Sequence, residues 1–315
     1  HGIEVDYANL ETRDPRTIEL PEGYDLYAFT SVTPQYPFAR ALRDDVARRG
    51  LGATAVGGSH ASVSPQECRR DGFDFVVTGY GETALLGIAR GAIASGIIKG
   101  AAINPDSPPL PAWDLLYQTE YDFSYGTRTG HVFASRGCPY ECEYCCSPTI
   151  YGTRVGYRSA SSVADEIRAL RKRRGVETIY FFDPTFTLNR RRTMALLQEL
   201  APLGVEWTCQ TRVDRVDFEL LNAMKAAGCT QVSFGVETGL PDVHANLNKA
   251  TACSLNADAI RMSRDAGLLV KTFLIGALPD DDERTADRFK SFILANRPDR
   301  WLYSTFTPFP GTEYW

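Results

Sequence analysis

The sequence predicts an α/β protein: a doubly wound parallel sheet followed by an open, partial barrel of six strand–helix units. Three observations predict it. Short apolar runs alternate with amphipathic stretches through the first third of the chain. Asn104-Pro105-Asp106-Ser107-Pro108-Pro109-Leu110-Pro111, four prolines in eight residues, then interrupts the pattern. From His131 the alternation resumes and runs to the end. Strands alternating with helices imply right-handed parallel βα units.

The elements follow in order. Residues 24–29 read as a buried strand, 38–49 as a helix, 53–56 as a strand closed by Gly57-Gly58, 73–77 as a strand and 82–95 as a helix. Such a sheet binds ligands beyond the carboxyl ends of its strands. Thr30-Ser31-Val32-Thr33-Pro34, Gly57-Gly58-Ser59-His60 and Gly79-Tyr80-Gly81-Glu82 occupy three such ends, though each alone also reads as a tight turn. The proline-rich segment continues neither a helix nor a central strand, so 104–128 reads as a linker between domains at 1–103 and 129–315. In the second domain, strands are expected at 131–135, 177–182, 205–210, 229–235, 269–275 and 301–306. Helices are expected at 161–174, 190–202, 217–227, 254–267 and 282–296. Six units fall short of the eight of a closed barrel, and the carboxyl ends of barrel strands are where chemistry sits.

Composition bounds the function. The 315 residues are 43 % apolar and 23 % charged, an ordinary globular balance that excludes disordered, collagenous and coiled-coil chains. A net charge of −5 supplies no global basic field for nucleic acid. No apolar run reaches the roughly 18 residues of a membrane span. The chain opens on His1 with no signal-peptide pattern and reads as a piece of a longer polypeptide, its localisation cytoplasmic. The basic runs 171–174 and 190–192 read as solvated helix faces.

Four of the eight cysteines fall within nine residues. Metal binding in a reducing cytosol suits them better than a disulfide scaffold. Cys138, Cys142 and Cys145 have the spacing Cys-x3-Cys-x2-Cys, directly after the first expected barrel strand. Soft thiolates favour iron–sulfur or zinc. A structural zinc site wants a fourth Cys or His at finger-like spacing; Cys146 adjoins Cys145 and no close His follows. Cys68, Cys209, Cys229 and Cys253 sit among apolar neighbours and are assigned to packing.

The cysteine triplet with Tyr144 before its last member resembles the motif of the radical S-adenosylmethionine (SAM) superfamily. Phe181-Phe182-Asp183-Pro184, Gln210-Thr211-Arg212, Gly235-Val236-Glu237-Thr238-Gly239, Leu274-Ile275-Gly276-Ala277-Leu278-Pro279 and Thr307-Pro308-Phe309-Pro310-Gly311 fall in that family's order. Gly57-Gly58-Ser59-His60-Ala61 and Gly79-Tyr80-Gly81-Glu82 are similar to its cobalamin-binding class, so the resemblance covers nearly the whole chain. It implies a Rossmann-like cobalamin-type domain, truncated so that its first strand is missing, and a partial (β/α)6 TIM barrel.

The resemblance implies that Cys138, Cys142 and Cys145 hold a [4Fe–4S] cluster whose open iron binds SAM. Tyr144 would lie near the adenine, Asp183 near the methionine amino group, and Arg212 at the SAM carboxylate. Glu237 would reach the ribose or amino group, and Ile275 and Gly276 would approach the adenine by backbone. Singly, Arg212 also reads as pairing with Asp214 or Asp217, Glu237 as a loop cap and Asp183 as a turn residue; their convergence on one barrel mouth favours the site. Ser31, Thr33, Gly57, Gly58, Ser59, Gly79, Gly81 and Glu82 would line a cobalamin site. Asp-x-His-x-x-Gly, which supplies a cobalt-ligating His in some cobalamin folds, is absent, and His60 reads as a solvated loop residue. The implied activity is a cobalamin-dependent methyltransferase acting on carbon or phosphorus, with a small-molecule or peptide substrate and a flavodoxin- or ferredoxin-type electron donor. The alternatives are a radical SAM cyclisation, rearrangement or hydrogen-abstraction enzyme with a degenerate cobalamin domain, and a non-catalytic zinc or iron–sulfur module.

Overall fold

A computed structural model describes residues 2–8, 14, 17–116, 123–124, 127–238, 247, 249 and 254–315. The first domain runs β1 (Leu26–Thr30), α1 (Tyr36–Arg49), β2 (Ala53–Gly57), α2 (Gly58–Val63), α3 (Pro65–Arg70), β3 (Phe75–Gly79), α4 (Glu82–Ala89) and β4 (Gly96–Gly100). The strands are parallel in the order β1-β2-β3-β4. Alternation along β3 sends Val76 to one face, against Tyr36, Ala61 and Cys68, and Val77 to the other, against Ala84 and Ile88. Both faces are therefore covered, the condition under which parallel strands are stable.

Two stretches differ from the sequence expectation. Residues 58–70 are the short helices α2 and α3, not a loop. The helix expected to reach 95 ends at Ala89, because Gly91 turns the chain at φ +68°, and the β-branched pair Ile97-Ile98 then forms a fourth strand.

After α5 (Trp113–Leu116) the second domain opens with β5 (Phe123–Ser124) and β6 (Thr127–Val132), so the first barrel strand starts inside the segment read as linker. Thr127, Thr129 and Val132 carry the β-branched pattern that favours this. Next come β7 (Ser135–Arg136), α6 (Ser147–Tyr151), β8 (Gly156–Tyr157), α7 (Ala160–Arg174), β9 (Thr178–Phe181), α8 (Arg190–Leu200) and β10 (Glu206–Thr211). The chain closes with α9 (Phe218–Ala226), β11 (Cys229–Glu237), α10 (Ser254–Asp265), β12 (Leu269–Gly276), α11 (Thr285–Asn296) and β13 (Arg300–Thr305). The main sheet is β13-β12-β11-β10-β9-β6-β5, parallel except for the β5–β6 hairpin. Its six parallel strands, β6 and β9 to β13, form the partial barrel.

Ile179, Phe181, Trp207, Val232 and Val270 face outward from the strands and bury against Ile167, Leu196 and Leu221 of the surrounding helices. Each side chain contributes roughly 1.5–3 kcal/mol on leaving water. Ser159, Asn189 and Asp217 cap α7, α8 and α9 by accepting from Ser162, Arg192 and Leu220 backbone N–H groups. With strands and helices so anchored, six strand ends open onto one mouth.

Candidate functional site

The cysteine segment leaves β7 through Gly137, whose φ of +100° and abutment on the Arg154 carbonyl leave no room for a side chain. The Cys138 N–H donates to the Gly152 carbonyl at 3.1 Å, and the Cys145 N–H to the Cys142 carbonyl at 3.0 Å. Cys138 is buried, Cys142 and Cys145 half-buried. Burial pushes the Cys138 and Cys142 thiols up, while the Arg212 guanidinium pulls both the other way. Among the described residues, no three His, Cys, Asp or Glu converge as ligands of a single metal ion. A cubane cluster binds each thiolate through a different iron, so it takes a more widely spaced trio. Three thiols on one short segment, one buried and two half-buried, beside a cation fit that group.

Asp183 is fully buried at the end of β9. It accepts from the Ala134 N–H at 2.9 Å and from the Ser135 hydroxyl. Burial pushes its carboxyl up, and these hydrogen bonds oppose the shift. Its carboxylate thus braces the strand that launches the cysteine loop.

Arg212, Glu237 and Tyr144 come together, joined by a residue that the sequence did not single out. A bulge between Gly235 and Glu237, with Glu237 at φ +62°, turns the carboxylate inward. There it accepts from Lys249 Nζ at 2.9 Å, with Tyr144 close by. Lys249 is 3 % exposed, and its Nζ also donates to the Gly235 carbonyl. The Lys249 carbonyl accepts from Arg212 Nη2 at 2.7 Å. Arg212 pairs with Asp214, but buried rather than on the surface. No local signal marks Lys249, because its role depends on a partner twelve residues away in the chain. Tyr144 and Ile275 pack in one small apolar cluster with Leu247, Leu278 and Phe306. The Gly276 carbonyl accepts from the Phe306 N–H at 2.7 Å.

Between the domains lies a cavity of 1360 Å³. It is lined by Gly79 and Tyr80 from the first sheet, Lys99 and Gly100 from β4, the proline segment, and Arg136 and 148–156 from beside the cysteine loop. It exceeds the roughly 300–1,000 Å³ of drug-sized ligand sites and is roomy enough for a cofactor of corrinoid size. Of the eight residues expected to line a cobalamin site, Gly79 alone lines this cavity. At φ +72° it has no neighbour closer than 3.8 Å where a side chain would stand, so a flat ligand can approach its backbone. Ser31 is buried at the same sheet edge, and its hydroxyl has no hydrogen-bond partner among the described residues. These two features fit cobalamin. The other six do not line the cavity. Gly58, at φ +89°, lies too close to Thr30 and Ser31 for a side chain. Thr33 faces His60 Nδ1 at 3.3 Å. Gly57 ends β2, Ser59 lies in α2, and Gly81 precedes α4. Glu82 pairs with Arg136.

His60 is not solvated: it is 3 % exposed and stacks on Tyr36 at 3.9 Å. Arg192, too, departs from the solvated-face reading, donating to the Ala134 carbonyl and lying over Tyr157 at 5.0 Å. Cys68, Cys209 and Cys229 are buried as expected, and Cys253 lies outside the described residues.

Residues 132–293 match the model of the radical SAM superfamily, and residues 1–89 match that of the B12 binding domain. The chain is 29 % identical to an uncharacterized methyltransferase of Pyrococcus horikoshii, over 82 % of this chain and 61 % of that protein. It is 27 % identical to the bacteriochlorophyllide d C-12(1)-methyltransferase of Chlorobaculum tepidum, over 98 % of this chain and 70 % of that one. Its fold is similar to that of TsrM, a radical SAM methyltransferase from Kitasatospora setae solved with cobalamin and a [4Fe–4S] cluster. The TM-score is 0.75 at 17 % identity, covering 92 % of this chain and 63 % of TsrM. The chain thus spans less than two thirds of two of these three proteins.

Proposed function

Because this chain belongs to the radical SAM superfamily and carries a B12-binding domain, we propose that it is a cobalamin-dependent methyltransferase acting on an unactivated carbon or phosphorus centre of a small molecule. The observation that carries the reading is the cavity between the carboxyl edge of the first sheet and the cysteine loop of the barrel. Its lining runs from Gly79 and Tyr80 at that edge to Arg136 and 148–156, the two flanks of the cysteine loop, so one cofactor would lie beside that loop.

Cys138, Cys142 and Cys145 would hold the cluster. Tyr144 and Ile275 offer an apolar wall to the adenine, and Gly276 its backbone. Glu237 offers an acceptor to the ribose or amino group, and Asp183 braces Ala134 and Ser135 at the start of the cysteine loop. Lys249 would supply a cation at the mouth, suited to the SAM carboxylate. When bound, the cluster supplies the electron that cleaves SAM, and cobalamin carries the methyl group. The chain's own part is to orient these groups and keep the mouth dry. A flavodoxin- or ferredoxin-type donor would deliver the electron, in the cytoplasm. Among the described residues no helix is long and apolar enough to cross a membrane.

The test is anaerobic reconstitution with iron, sulfide and hydroxocobalamin, followed by an absorption spectrum and metal analysis. The expected result is about four irons and four sulfides per chain, with stoichiometric corrinoid. Cys142→Ala should lose the iron and SAM cleavage while the barrel stays folded. Zinc without iron would overturn the enzyme reading. Iron without corrinoid would redirect it to radical chemistry without methyl transfer.

A further inference from the structure

Arg212 is 7 % exposed, and its guanidinium is held by the chain itself. Nε and Nη2 face the Asp214 carboxylate at 2.9 and 3.2 Å. Nη2 also donates to the Lys249 carbonyl at 2.7 Å. The guanidinium lies 3.7 Å over the Tyr140 ring, whose hydroxyl accepts from Arg215 Nε at 2.5 Å. One nitrogen, Nη1, remains, and it points at Cys142 Sγ from 3.9 Å, within donor range of the large sulfur atom. Four groups, Asp214, the Lys249 carbonyl, Tyr140 and, through it, Arg215, thus aim one N–H at one sulfur.

We propose that Arg212 is a positioning residue that sets the reduction potential of the cluster through Cys142, and is not primarily a ligand of the SAM carboxylate. The proposal rests on the reading of Cys142 as a cluster ligand. Hydrogen bonds to ligand sulfurs are among the determinants of iron–sulfur potentials. A donor to a thiolate favours the more negative, reduced state. In a buried, low-dielectric site that preference is not screened away. Asp214 offsets part of the positive charge, but from the side of the guanidinium away from the sulfur. Tyr140 and Arg215 stop the group from swinging out.

The experiment is a dithionite redox titration of the reconstituted full chain without SAM, followed by electron paramagnetic resonance. Each titration adds one electron to the cluster couple and forms or breaks no bond. R212Q should make reduction about tenfold less favourable, a midpoint about 59 mV more negative. D214N keeps the guanidinium and removes its counter-charge, so its midpoint should move the opposite way. A wild-type midpoint in R212Q, with weakened SAM binding instead, would make Arg212 a carboxylate ligand and overturn the proposal. If R212Q retains no iron, D214N decides: a positive shift supports the tuning role and an unchanged midpoint overturns it. A wild-type chain that takes up no iron would instead defeat the cluster reading itself.

Discussion

His60 has its imidazole stacked on Tyr36, Nδ1 against Thr33 and Nε2 3.5 Å from Glu67. Burial lowers its pKa, against the pull of Glu67 and Asp71. The unfolded chain therefore takes up this proton first, near the ordinary value of about 6.5. Stability is full above that pH and falls as the pH drops from there toward the folded pKa. His60→Phe keeps the stacking and removes the titration. It should lose less of its melting temperature than the wild type between pH 7.5 and 5.5, as read by circular dichroism. Identical pH dependence of the two proteins would count against this. Nothing in Gly-Gly-Ser-His announces the burial; it follows from α2 packing onto Tyr36, a residue of another helix. Asp183 and Glu237 were legible by type and strand position, but their partners were not. Asp183 grips Ala134 and Ser135, and Glu237 grips Lys249.

At the scale of elements, the short stretch from β7 to β8 shapes the cysteine loop, and Gly137 is its hinge. Its positive φ and its abutment on Arg154 act together. Gly137→Ala should cost about 1–3 kcal/mol locally and appear as reduced iron per chain at unchanged far-ultraviolet circular dichroism. Full iron occupancy in that variant would show that the loop tolerates the substitution. The barrel's strand–helix alternation was readable because strands covered by helices need apolar runs and helices need an apolar stripe. The boundaries that slipped have local causes. Gly91 cut α4 short, and Thr127 and Thr129 extended the first barrel strand into the segment beyond the prolines.

At the scale of the molecule, the domains meet through Arg136 and Tyr80. Arg136 pairs with Glu82 and lies 5.7 Å from the Tyr80 ring, while the Tyr80 hydroxyl donates to the Tyr151 carbonyl at 2.9 Å. These contacts border the cavity, so Arg136→Ala should weaken hydroxocobalamin binding about fivefold, the effect of about 1 kcal/mol for a partly exposed pair. A spectroscopic titration reads this, with iron content as the control for the cysteine loop two residues away. Unchanged affinity would detach the junction from the corrinoid.

The α/β alternation and the cysteine triplet were legible in the sequence, because periodicity and cysteine spacing are written in neighbouring residues. Tertiary structure alone decided that Lys249 meets Glu237, that Arg212 turns to Cys142, and that Gly79, not the other turn residues, faces the cavity. Those partners lie up to 70 residues apart. Only the closing of the barrel and the seating of one domain on the other bring their side chains within hydrogen-bonding distance.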